Sequence, residues 1–400
     1  MRLLHVIGSM DPAGGGPCQG IRSLAEQLSG GGHSVEVVCL DSLRPEYLNE
    51  RALQIHALGR PRGSWKYHPR LRPWLERNLP RFDAAILNGL WLYQGLALLR
   101  VARDCGTPYF IFPHGMLDPW FQRAAERRMK AARNWLYWKL CEQRVVHRAA
   151  GLFFTCAAEM ELARGTFQPY RPRREISVGY GVAEPPSLTA EMTGAFFDRC
   201  PGLGGQPYFL FLSRIHYKKG IDLLIRAYAR LCRQRGALTV PKLVIAGPGG
   251  ETDYGKELCQ LAREVCEPDS IFWPGMLTGP AKWGALGHCE AFVLPSHQEN
   301  FGIAVAEALA CGKPVLISNQ INIWQEIDAY GAALVQPDTV SGTAQLLSDW
   351  LNLSHAAKVA MGQRARVCFQ ELYSIEVAAR RLQATLSSVL TEANMDSRAA

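Results

Sequence analysis

The chain alternates short apolar runs with longer stretches in which apolar residues recur every three or four positions. RLLHVIG, VEVVCLD, AAILNG, PYFIFPHG and GLFFTCA lie in the first half; PYFLFLSR, KLVIAGPG, SIFWPG, AFVLPS and PVLISN lie in the second. Runs this short and this continuously apolar predict buried strands. Helical periodicity fills the intervals, at Cys18–Ser29, Pro119–His147, Gly220–Arg233, Tyr254–Cys266 and Ile303–Ala310. Strands without polar alternation, interleaved with helices, predict parallel sheets covered on both faces.

The alternation breaks in AEPPSLTAEMTGAFFDRCPGLGGQP, a stretch rich in Pro and Gly that contains no strand pattern. It reads as a linker with a disordered or partly helical connection. The expected fold class is therefore α/β, with two doubly wound, Rossmann-like domains. The expected limits are residues 1–182, a linker over 183–206, a second domain over 207–375, and a closing helix over 376–400 that can return to the first domain. Such sheets bind ligands beyond the carboxyl ends of their strands, so a cleft between the two domains is the expected site.

A length of 400 residues suits two domains, and 48% hydrophobic with 20% charged residues is globular composition. The twelve cysteines form no Cys-x-x-Cys pair, and several sit inside apolar runs, which predicts free thiols in a reducing compartment. The first apolar run is too short for a secretion signal, and no run reaches the roughly 18 residues that span a bilayer. A cytoplasmic protein, soluble or peripheral, is expected. A net charge of +8 suits nucleic acid, an anionic membrane or phosphorylated substrates, so its placement must decide.

The segment HQENFGIAVAEALACGKPV follows the strand AFVLPS and sets Glu299 and Glu307 eight positions apart. Asn300, Phe301 and Gly302 lead into a helix, whose exposed amides suit an anion. Carboxylates accept hydrogen bonds from vicinal hydroxyls. Glu307 lies among Ala304, Val305, Ala306, Ala308, Leu309 and Ala310, where an unpaired charge is costly. The pair therefore points to a ligand that carries both hydroxyls and phosphates. In FLSRIHYKKGIDLLIRAY, Arg214 and Lys219 follow a strand and precede a helix. A guanidinium and an ammonium there suit a diphosphate, at about 1.5–3 kcal/mol for each charge-assisted bond.

Gly14-Gly15-Gly16 follows the first strand and permits close backbone approach to a ligand. It is neither the dinucleotide fingerprint nor a Walker loop, which disfavours a nicotinamide-dependent dehydrogenase. His114 ends the strand PYFIF and precedes Gly115, at the expected cleft edge. No Asp-x-Asp occurs, so a carboxylate-held metal is not expected.

With SRIHYKKG, VIAGPG, LPSHQENFG, ALACGKPV and PHGMLDPW, the chain resembles the family-four (group 1) retaining glycosyltransferases of GT-B architecture over essentially its whole length. PHGMLDPW looks like a subgroup of bacterial exopolysaccharide enzymes. The resemblance implies transfer of a hexose-type sugar from a nucleotide diphosphate donor to a saccharide or polyprenyl-linked acceptor. It requires no cofactor beyond that co-substrate. It places Arg214 and Lys219 on the diphosphate, Glu307 on the ribose, and Glu299 with Asn300, Phe301 and Gly302 on the donor sugar. Gly16 would approach the donor phosphate, Gly15 and Gly247 would lie in the donor site, and Met276 would lie where the base is met. His114, Arg214, Lys219 and Glu299 form the implied catalytic set. Two departures stand out: QINIWQEI replaces a glycine-rich segment, and Asn88 stands where a histidine is frequent.

From Arg123 to Arg148 lie eight basic and two acidic residues, with Trp120 and Phe121 just before them and Trp135, Tyr137 and Trp138 among them. A second basic and aromatic patch spans Arg60 to Trp74. Arg127, Arg128, Lys130, Arg133 and Trp135 are the expected contacts to an anionic membrane surface or a membrane-linked acceptor. The expected location is thus the inner face of the cell membrane, with no nucleic-acid partner. Rival readings are a sugar-nucleotide epimerase or phosphorylase on the same fold, or a non-catalytic, membrane-bound sugar-nucleotide scaffold.

Overall fold

A computed structural model of the chain describes residues 1–12, 15–43, 46–48, 53–123 and 127–399. It divides into two compact units, Met1–Gly181 with Ile375–Ala400, and Val182–Ser374.

The first unit holds seven parallel strands: β1 (Arg2–Ile7), β2 (Ser34–Cys39), β3 (Gln54–Ala57), β4 (Ala84–Asn88), β5 (Tyr109–Phe112), β6 (Gly151–Phe154) and β7 (Glu175–Ser177). Their order across the sheet is β3-β2-β1-β4-β5-β6-β7. The order reverses at β1, and the register sets Ile7 beside Asn88 on β4. Alternate residues of each strand feed opposite faces, as the pleat requires. Leu4, Val6, Leu87, Ile111 and Phe154 pack with Trp138, Leu98 and Val101 on one face. On the other, Leu3, Ile86, Phe110 and Phe153 pack with Ile21 and Ala25 of helix Gly16–Gly30. Leu382 and Leu386 of the closing helix Ile375–Ala399 join that second face.

The second unit holds β8 (Tyr208–Leu212), β9 (Lys242–Ala246), β10 (Ile271–Gly275), β11 (Ala291–Leu294), β12 (Val315–Ser318) and β13 (Ala333–Gln336), all parallel, in the order β10-β9-β8-β11-β12-β13. Both units are thus Rossmann-like α/β domains, as the strand pattern predicted.

The stretch 183–206, read from sequence as a linker, lies inside the second unit. It forms helix Ala190–Phe197, whose first turn is capped by Thr189 accepting from the Met192 amide at 3.2 Å. The helix packs on Gly279–His288. A Cβ at Gly284 would stand 2.1 Å from the Met192 carbonyl, so glycine there is what lets the two backbones meet. Phe196 is fully buried, which stabilises by about 1.5–3 kcal/mol. The predicted helix Pro119–His147 is found as Trp120–Arg123 and as a continuous helical run from Arg128 to Arg148 that includes a π-helical turn at Trp138–Glu142; residues 124–126 lie outside the described part. All twelve cysteines are free thiols, seven of them buried. No helix among the described residues is long and apolar enough to cross a membrane.

Candidate functional site

In the second unit, the carboxyl end of β8 runs through Arg214 into a short turn at Tyr217–Lys219. Gly220 then takes φ +64°, and a Cβ there would lie 2.1 Å from the Pro295 carbonyl oxygen. Only glycine fits this left-handed, tightly packed position. The packing fixes Lys219 against the loop that leaves β11. That loop is tied down further by the His297 amide, which donates to the Lys218 carbonyl at 2.8 Å. The buried Lys219 ammonium forms an ion pair with the Glu299 carboxylate. The Glu299 amide donates to Gln320 at 3.0 Å, and the Asn322 amide donates back to the Glu299 carbonyl at 3.0 Å. QINIWQEI therefore braces the Glu299 loop, a role the sequence did not disclose.

Gly302, at φ +79°, turns that loop into helix Ile303–Ala310. Glu307, one turn in, bonds the Lys282 ammonium at 2.8 Å, and that ammonium lies 4.1 Å from the centre of the Trp283 ring. Lys282 comes from helix Gly279–His288, a functional candidate that sequence reasoning missed because no motif surrounds it. The predicted cost of a lone Glu307 charge is met by this partner. Arg214 is exposed, and its guanidinium makes no bond among the described residues. Gly247 packs beside it: a Cβ there would stand 1.8 Å from the Ser213 carbonyl oxygen. Met276 is exposed just beyond β10. The structure thus brings Lys219, Glu299, Asn300, Phe301 and Gly302 into one loop cluster, with Glu307 on the helix that follows. Two carboxylates, each held by a lysine, stand with an unengaged guanidinium from the same sheet edge. That set can bind an anion through cations and hydroxyls through carboxylates.

In the first unit, Gly15 has φ +89° and opens helix Gly16–Gly30, with Pro17 in its first turn and no side-chain cap; Gly14 lies outside the described residues. The Tyr180 hydroxyl donates to the Gly16 carbonyl at 2.6 Å. His114 follows β5 in a left-handed conformation, φ +51°, rare for a residue with a Cβ. Its turn is pinned by Glu159, a buried carboxylate that accepts from the Gly115 amide at 2.6 Å and the Thr155 amide at 2.7 Å. The imidazole stacks on Phe112 with centroids 4.6 Å apart, and Nε2 lies 3.1 Å from Asn88 Oδ1. Asn88 Nδ2 in turn lies 3.1 Å from His5 Nδ1 and 3.1 Å from the Ile86 carbonyl oxygen. Burial disfavours the imidazolium at both histidines, lowering His114 to about 3 and His5 to about 4. Asn88, His5 and Glu159 were not foreseen as a group, because they come from different strands and a helix.

The basic helical segment divides its aromatics. Trp138 is core and Tyr137 is buried, stacked on Trp65 at 4.1 Å. Trp135, Leu136, Leu140 and Met129 are 56, 53, 59 and 89% exposed, alongside the exposed Arg128 and Lys130. Arg127 sits over Phe121 at 4.8 Å, and Arg133 over Trp65 at 5.5 Å. Among the described residues, no group of three His, Cys, Asp or Glu side chains converges on a metal position.

Residues 15–181 match the family model for the glycosyl transferase 4-like domain, and residues 199–367 match the model for glycosyl transferases group 1. The chain is 32% identical over 146 residues to an uncharacterised glycosyltransferase of Methanocaldococcus jannaschii, covering 35% of this chain and 36% of that one. It is 28% identical over 268 residues to glycogen synthase of Mycobacterium tuberculosis, covering 65% and 56% respectively. The aligned part therefore spans between a third and just over half of these curated relatives. Among solved structures, HepE of Anabaena in complex with UDP and glucose superposes with a TM-score of 0.75 at 15% identity, over 97% of this chain and 100% of that one. Sucrose-phosphate synthase of Thermosynechococcus elongatus gives 0.74 at 19% identity, over 98% and 99%. At such identities these likenesses concern the fold.

Proposed function

The chain belongs to the group 1 glycosyl transferases, and on that ground we propose that it moves a hexose-type sugar from a nucleotide diphosphate donor to a saccharide or polyprenyl-linked acceptor, in the synthesis of a cell-surface polysaccharide. The observation that carries this reading is the Lys219–Glu299 pair at the start of the Gly302 turn, with Arg214 unengaged beyond β8 and Glu307 on the following helix. Arg214 and Lys219 meet the diphosphate. The negative charge on it grows as the glycosidic bond breaks, so both cations act more strongly in the transition state than in the ground state. Glu307 accepts the ribose hydroxyls, Glu299 the donor-sugar hydroxyls, and His114 lies beside the reacting sugar. Transfer proceeds with retention and without a metal, by same-face attack that the departing phosphate assists. That HepE was solved with UDP makes uridine the first base to test.

The exposed Trp135, Leu136, Leu140 and Met129, with Arg127, Arg128, Lys130 and Arg133, support attachment to the inner face of an anionic membrane.

The test is a thermal-shift screen with UDP-, GDP-, ADP- and TDP-sugars, followed by transfer assays with the best donor, with and without EDTA. A donor at a hundredfold over its Kd stabilises by about 2.7 kcal/mol. Transfer with the donor's anomeric configuration kept, and undiminished by EDTA, supports the proposal. Inversion refutes retention; loss on chelation, restored by Mn²⁺, refutes the metal-free claim; free-sugar epimerisation, or turnover only with orthophosphate, refutes transfer.

A further inference from the structure

The bonds around Asn88 in the first unit can be read in only one direction. A backbone carbonyl oxygen accepts and never donates. The Ile86 carbonyl, 3.1 Å from the Asn88 amide, therefore faces the NH₂ end, and this fixes which end is which. The second hydrogen of the same NH₂ goes to His5 Nδ1 at 3.1 Å, so His5 accepts there and keeps its own proton on Nε2. The opposite end of the amide, Oδ1, faces His114 Nε2 at 3.1 Å. An oxygen with no hydrogen requires a donor, so His114 Nε2 must carry one. Both amide hydrogens are used, and one of the oxygen's lone-pair positions is filled.

We propose that Asn88 is a positioning residue that holds His114 as its Nε2–H tautomer, leaving the Nδ1 lone pair to accept a hydrogen bond from a hydroxyl of the bound sugar. The inference rests on the glycosyl-transfer reading for its ligand, but not for its tautomer.

Two ring contacts and one backbone contact hold the imidazole in place. Phe112 stacks on it with an interplanar angle of 4°, and Tyr180 meets it edge-on at 6.3 Å. The strained φ of +51° at His114 persists because Glu159 grips the next amide. Nδ1 has no protein partner among the described residues. An unpartnered acceptor nitrogen on a part-buried residue just beyond β5 suits a sugar hydroxyl, which can donate. It does not suit a phosphate oxygen, which needs a donor. His114 therefore orients a hydroxyl, while the work on the leaving diphosphate falls to Arg214 and Lys219.

The test begins with the full-length, ligand-free protein carrying ¹⁵N-labelled histidine. His114 is assigned as the side-chain signal lost in His114→Gln. The expected result is a protonated Nε2 and an unprotonated Nδ1 throughout pH 6 to 8. A proton on Nδ1 in the wild type overturns the proposal, whatever the protein transfers, and needs no variant that might fail to fold. The second arm is a double-mutant cycle on kcat/KM with the best donor. Asn88→Leu and His114→Gln each lower it by tenfold or more, and the double variant is no worse than His114→Gln alone, because Asn88 acts through His114. Losses that multiply in full overturn the positioning role. If no donor is turned over, the transfer reading fails, and the tautomer is decided by the spectrum alone.

Discussion

Lys219→Met keeps most of the side chain's length and removes its charge, leaving the Glu299 carboxylate without its cation. The side chains are 9 and 20% exposed. Removing one partner of a fully buried pair costs about 3–5 kcal/mol, whereas an exposed pair contributes only about 0–1 kcal/mol. With Glu299 in partial contact with water, the cost falls between these limits, at about 2 kcal/mol. For a unit of roughly 190 residues that lowers the melting temperature by about 4–8 °C. Glu299→Gln in the same background removes the stranded charge, so the double variant regains about 1 kcal/mol or more relative to Lys219→Met. Denaturant unfolding of the four proteins, followed by a probe in the second unit, measures this directly. The same Lys219→Met variant lowers kcat more than it weakens donor binding, since charge on the diphosphate grows only as the bond breaks. Stability losses that add within about 0.5 kcal/mol show that the pair is not coupled and refute the argument. Equal losses in kcat and in binding reduce Lys219 to a substrate holder.

Glu307→Ala removes the acceptor assigned to the ribose and frees Lys282; calorimetry with UDP should show binding weakened at least tenfold, and an unchanged affinity in the folded variant removes Glu307 from the site. Burial raises the Glu142 carboxyl to about 8, so the folded state keeps a proton that the unfolded chain sheds above about 4.5. The unfolded state then binds fewer protons, so this group's contribution falls as pH rises from about 4.5 to about 8; Glu142→Gln should flatten that slope in denaturant titrations at several pH values. Sedimentation with anionic vesicles should carry the protein down at low salt, and neutralising Arg127, Arg128, Lys130 and Arg133 together should release it, at about 1 kcal/mol for each cation that faces lipid. Indifference to such vesicles leaves the exposed helix face without a membrane role.

The strands were legible wherever burial on both faces forced a continuous apolar run, as in AAILN and YFLFL. Three strands without that pattern went unseen: Gln54–Ala57, Glu175–Ser177 and Ala333–Gln336. All lie at sheet edges, where one side lacks a neighbouring strand and most positions are only partly buried, so apolar continuity is not required. The Pro- and Gly-rich stretch 183–206, expected to be a linker with a partly helical connection, does carry a helix but belongs to the second unit. Its glycines and prolines read as punctuation, while the surface that orders its helix is supplied by Gly284 and its neighbours, far along the chain.

Lys219, Glu299 and Glu307 could be picked out from sequence because charges beside apolar strand ends and inside apolar helices are costly unless they are used. Their partners could not. Lys282 answers Glu307, Asn322 braces Glu299, and Asn88 joins His5 to His114, and no local rule links these positions. Local sequence determines where an element forms and which residues are expensive to bury. Which groups then satisfy those residues depends on strand order and on the crossing of helices, and only the folded chain sets these.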